Sequence, residues 1–94
     1  MAQAVVLDFK GGTLAQYDNV IKKMGLTSGG KGAPGGLFHW ATKTPDGIRV
    51  TDVWKTKAEF EKFAKEQIGP FTAEAGLPPP AIQFYDVHSY LSGS

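Results

Sequence analysis

Asp52 and Trp54 stand two residues apart in a β-branched run, so on a strand they share one face. Phe84, Asp86, His88 and Tyr90 alternate in the same way near the C-terminus and share a face in their turn. His88 falls between Asp86 and Tyr90, two groups able to orient an imidazole, and imidazole ionises near neutrality, which suits a general base. His39, between Phe38 and Trp40, is the second candidate base, and Asp52 is the candidate catalytic carboxylate. Asp8 can contribute from a neighbouring strand. Tyr17 and Phe63 lie on apolar helix stripes, and with Trp54, Asp86 and Tyr90 they are the candidate lining of a pocket between helices and sheet.

Each of these residues also has a plainer reading. Asp52 beside Trp54 suits a strand-end carboxylate that caps backbone donors next to a packing indole. His39 suits a partly buried, hydrogen-bonded side chain, and the helix stripes suit ordinary core. No metal is expected, because no pair of potential ligands has a recognised spacing. Gly29-Gly30-Lys31-Gly32 lacks the preceding strand, the following helix and the hydroxyl beside lysine that a phosphate-cradling loop needs. It reads as a flexible connection or as a flap over a pocket mouth.

The elements that must position these groups follow from periodicity. Ala4 to Phe9 is a short strand, stopped by Lys10-Gly11-Gly12. Thr13 and Gln16 form a capping box for a first helix, whose stripe is Leu14, Tyr17, Ile21 and Met24 and whose end is Gly25. Leu26 to Gly36 is too rich in glycine for regular structure and is expected as a long loop. Leu37–Lys43 and Ile48–Trp54 flank Thr44-Pro45-Asp46-Gly47, a turn signal, and predict a β-hairpin. Thr56 and Glu59 open a second helix through Phe60, Phe63, Ala64, Gln67 and Ile68. Pro70 predicts a break at Gly69, with a short helical extension to Ala75. Pro78-Pro79-Pro80 is stiff and extended. A long last strand is expected over Ile82–Leu91.

This order, βαββαβ, predicts an α+β ferredoxin-like sandwich in which both helices cover one face of a four-stranded antiparallel sheet. The 94 residues form one expected domain, 1–94. Apolar neighbours such as Val5-Val6-Leu7 and Trp40-Ala41 put apolar groups on both sheet faces. A second copy over the bare face, making a homodimer, resolves that conflict. Without cysteine there is no disulfide, thiolate metal site or thiol nucleophile, which suits a reducing cytoplasm. A secretory leader and a membrane span are not expected. The net charge of +1 with scattered basic residues argues against a nucleic-acid or membrane footprint.

With that order, and with Asp52-Val53-Trp54-Lys55-Thr56-Lys57-Ala58-Glu59-Phe60, the chain resembles the dimeric α+β barrel superfamily, particularly small antibiotic-biosynthesis-monooxygenase-like proteins. The shared signature is a strand-end acidic-apolar-Trp, a capping Ser or Thr, and an aromatic one turn into the second helix. The resemblance implies sheets paired face to face in a dimer, a ligand held between each sheet and its helices, and cofactor-free oxygenation of an apolar or aromatic metabolite. The haem-degrading branch carries Trp and His on the second helix where this chain has Phe63 and Ala73, so that branch is not expected. An RNA-recognition module needs exposed aromatics on the third strand, whereas Ile48–Trp54 carries an acid and two valines. A small-molecule enzyme and a non-catalytic ligand-binding or structural homodimer are the readings that stand.

Overall fold

The computed structural model describes residues 1–27 and 29–91. Strand β1 is Gln3–Lys10, helix α1 Leu14–Lys23, strand β2 Gly36–Thr44, strand β3 Gly47–Trp54 and helix α2 Lys57–Phe63. A π-helical turn, Ala64–Ile68, leads into helix α3, Gly69–Ala75, and strand β4 is Ala81–Asp86. Ser28, within the expected glycine-rich loop, lies outside the described residues.

The strands form one antiparallel sheet in the order β2-β3-β1-β4. Alternation sorts their side chains. Val5, Leu7 and Phe9 from β1 and Ile48, Val50 and Trp54 from β3 are buried together with Val20 of α1 and Phe60 of α2. Both helical segments therefore cover the same face, which is the α+β ferredoxin-like arrangement. Each large side chain buried there contributes about 1.5–3 kcal/mol.

Local signals position α1. Thr13 Oγ1 accepts from the Gln16 backbone N–H at 3.2 Å, and Gln16 Oε1 accepts from the Thr13 N–H at 3.0 Å. This capping box satisfies two donors at the helix start. The Gln16 amide then donates to the Gly76 carbonyl at 3.1 Å. Gly76 ends α3 with φ +79°, a left-handed cap that a side chain would strain. Lys23 pairs with Glu74 at 2.7 Å, so α1 and α3 are tied at two places.

Two expectations are corrected. No break occurs at Gly69. The Gly69 N–H donates to Ala64 O, five residues back, and the helix widens into a π turn ahead of Pro70. Proline has no N–H to satisfy, so α3 continues with Pro70 in its first turn. The last strand stops at Asp86 instead of running to Leu91. β4 pairs only with β1, and Gln3↔Asp86 is the last pair, so beyond it the partner strand has run out. One further bond, Val87 N–H to Ala2 O, closes the ladder.

On the face away from the helices, Trp40 and Tyr85 are 49% and 55% exposed. Asp8 and Arg49 pair there in a bidentate fork, Nε to Oδ1 at 2.7 Å and Nη2 to Oδ2 at 3.1 Å. The hydrogen bond from Arg49 holds the Asp8 carboxyl below its ordinary range. Among the described residues, no helix is long and apolar enough to cross a membrane.

Candidate functional site

The hairpin brings the first two groups together. Its two-residue turn, Pro45-Asp46, pairs Thr44 with Gly47. Counting five residues back along each arm puts His39 opposite Asp52, on the same face as Val5 and under α1. His39 Nδ1 lies 2.5 Å from Asp52 Oδ1. The other carboxylate oxygen, Oδ2, accepts from the Trp54 indole N–H at 3.1 Å. Asp52 is 4% exposed, and both its oxygens are engaged. A buried carboxylate needs such donors, because leaving it without them costs several kcal/mol.

From the other side, α1 delivers Tyr17, whose hydroxyl is 2.5 Å from His39 Nε2. The two rings are nearly parallel, with centroids 6.0 Å apart. Because the carboxylate only accepts, Nδ1 carries the imidazole hydrogen, and Nε2 is left to accept from the Tyr17 hydroxyl. The result is a continuous chain, Tyr17 to His39 to Asp52 to Trp54. Burial pushes the Tyr17 phenol up to about 12, with the charges of Asp52 and Asp18 adding to it. Tyr17 therefore remains a donor at any physiological pH.

A cavity of about 880 Å³ opens beside this chain, between the sheet, α1 and the glycine-rich loop. Its size falls in the range of small-molecule pockets. Tyr17, His39 and Asp52 reach it together, and Leu7, Val50 and Phe63 supply apolar wall. The residues of the glycine-rich loop, Gly29 to Ala33 among them, form part of its rim. The loop is anchored at its far end, where the Lys55 N–H donates to Gly35 O. Gly35 has φ +86°, and a side chain there would run into Glu59.

The remaining candidates lie elsewhere. His88 follows the end of β4, is exposed, and receives no hydrogen bond or ion pair among the described residues. The expected alignment of Phe84, Asp86, His88 and Tyr90 on one strand face is thus not formed, because the strand ends before His88. Asp86 accepts from the Gln3 side-chain amide. Tyr90 packs edge-on against Phe38, with centroids 5.6 Å apart. Phe38 pairs with Val53 in register, on the opposite side of the strand from His39, and Tyr90 itself does not line the cavity. Trp54 is 3% exposed, between Phe60 and Phe63, and does not reach the cavity wall. Asp8 is bound to Arg49 on the opposite face. The pairing of His39 with Asp52 was not read from the sequence, although the two-residue turn carried the register that implies it. Among the described residues, no group of three His, Asp or Glu side chains is arranged to hold a metal ion.

Neither a protein-family model nor a curated protein matches the sequence. Among solved structures, "a putative antibiotic biosynthesis monooxygenase" from Deinococcus radiodurans is similar, with a TM-score of 0.58. The match covers 100% of this chain and 99% of that one, at 8% sequence identity. At that identity the likeness concerns the fold.

Proposed function

We propose that the chain is a small enzyme whose base is the His39–Asp52 pair and whose substrate is an apolar or aromatic carbon acid held in the 880 Å³ cavity. The observation that carries this reading is the Tyr17–His39–Asp52 hydrogen-bonded chain at the cavity. Asp52 holds the imidazole with Nε2 toward the pocket and stabilises the imidazolium that proton abstraction creates. The Tyr17 hydroxyl donates to Nε2. A substrate displaces it, and the freed O–H donates to the oxyanion that forms.

The reaction class that fits the similar fold is cofactor-independent monooxygenation. The substrate C–H proton passes to His39 Nε2, and the carbanion left behind transfers its electrons to dioxygen. A carbon–oxygen bond forms, the His39 imidazolium returns its proton to the peroxide anion, and the hydroperoxide loses water, so that a CH₂ becomes a C=O and the base is restored. One oxygen atom enters the product and the other leaves as water, so molecular oxygen is the sole oxidant required.

The test is oxygen uptake and product formation with a panel of polycyclic phenols and their keto tautomers. Wild type turns over at least one of them. His39→Ala and Asp52→Asn lower kcat by about 10²–10⁴-fold, as expected for loss of a general base. Full turnover by His39→Ala, at wild-type circular dichroism, ends this reading.

The same reading includes a second copy of the chain over the face away from the helices. Trp40 and Tyr85 are large, adjoining that bare face and half exposed. The charges of Asp8 and Arg49 satisfy each other, so covering them leaves neither without a partner.

A further inference from the structure

The geometry points to Trp54 as a positioning residue, which acts on the base through Asp52 and touches no substrate. This inference rests on the proposed role of the His39–Asp52 pair and assigns a function to the one member of the hydrogen-bonded chain that lies outside the cavity.

The argument starts from the carboxylate. Asp52 Oδ1 faces His39 and Oδ2 accepts from Trp54 Nε1, so rotation about the carboxylate's own axis is blocked at both oxygens. One partner, His39, is on an edge strand with a side chain 39% exposed. The other is buried and clamped. The Trp54 indole meets Phe60 edge-on, with centroids 5.7 Å apart, and is tilted against Phe63 at 5.3 Å. Phe60 is 1% exposed and meets Phe84 of β4 in turn, at 5.6 Å. The rigid side of the carboxylate is therefore the indole side.

Packing alone does not explain a tryptophan here. A phenylalanine fills most of the same space between Phe60 and Phe63. What the indole adds is one N–H, and that N–H is directed at the single buried carboxylate among the described residues. Without it Oδ2 has no donor, the carboxylate turns, and Oδ1 no longer holds the Nδ1–H tautomer of His39. Nε2 is then protonated in part of the molecules, and those molecules have no base.

The experiment uses the full chain labelled with ¹⁵N in its histidine rings and compares wild type, Trp54→Phe and Asp52→Asn. In wild type His39 is expected to show the Nδ1–H tautomer. In Trp54→Phe, which retains the aromatic packing, that population falls and the Nδ1–H exchanges faster with water. Turnover of a substrate found by the panel drops about tenfold, the effect of one charge-assisted hydrogen bond. A His39 spectrum unchanged in Trp54→Phe but altered in Asp52→Asn overturns the role of Trp54 alone. One unchanged in both removes the His39–Asp52 base as well. Should Trp54→Phe not fold, His39→Ala provides the reciprocal measurement. The Trp54 Nε1–H resonance must then move, because Asp52 bridges the two rings, and a resonance identical to wild type refutes the link.

Discussion

His39 and Asp52 are direct partners across the β2–β3 ladder, with Nδ1 2.5 Å from Oδ1. One partner is half in solvent and the other is buried, so the pair has unequal sides. Removing the imidazole leaves a buried carboxylate oxygen with no donor, whereas removing both groups leaves no charge to satisfy.

His39→Ala is accordingly expected to destabilise the fold by about 1–3 kcal/mol. The double replacement His39→Leu with Asp52→Leu should lose less than the sum of its two single replacements, because the buried charge goes with its partner. Urea denaturation of the four proteins measures this. Strict additivity would count against a coupled pair.

Tyr17 gives a pH signature. Burial pushes its folded-state value up to about 12, against about 10 for the phenol of an unfolded chain. The folded state thus binds this proton more tightly. Its contribution to stability is complete below about pH 10 and is lost as the pH rises from about 10 to about 12. Tyr17→Phe lacks that proton. It starts lower at neutral pH for want of the hydrogen bond to His39, but its stability declines less steeply across the alkaline window. Parallel curves for the two proteins would contradict the assignment.

Phe60 joins the second helix to the sheet, at 1% exposure and in edge contact with both Trp54 and Phe84. Phe60→Ala should cost about 3–5 kcal/mol, by lost burial plus the cavity left behind. The near-ultraviolet circular dichroism of Trp54 should weaken with it. A loss below about 1 kcal/mol would mean that the clamp around Trp54 closes up without it.

Assembly is read at Trp40, which lies in the middle of β2 on the face opposite His39. Wild type is expected to sediment as a dimer at micromolar concentration, and Trp40→Lys as a monomer with unchanged secondary structure. A wild-type monomer would remove the second copy from the proposal.

Much of the fold follows from local chemistry. Thr13 with Gln16, the Pro45-Asp46 turn and the alternation of β1 act within a few residues of chain, so their outcome is written where they stand. The turn even carries the register that sets His39 against Asp52, since a ladder keeps its count until a bulge interrupts it. The interruption comes only afterwards, between Gly36 and Phe38.

The sequence by itself determined the element order, the antiparallel hairpin and which strand positions share a face, because each depends on neighbours along the chain. Tertiary structure decided which of those faces hold chemistry. β4 could extend only as far as β1 ran beside it, which left His88 outside the sheet and released Tyr90 to Phe38. Tyr17 reached His39 only because α1 packs on the face of the sheet that carries His39, and Phe60 of α2 met Phe84 of β4 only because the second helix lies on that same face. These are contacts between residues far apart in sequence, set by how the layers pack, and no spacing along the chain encodes them.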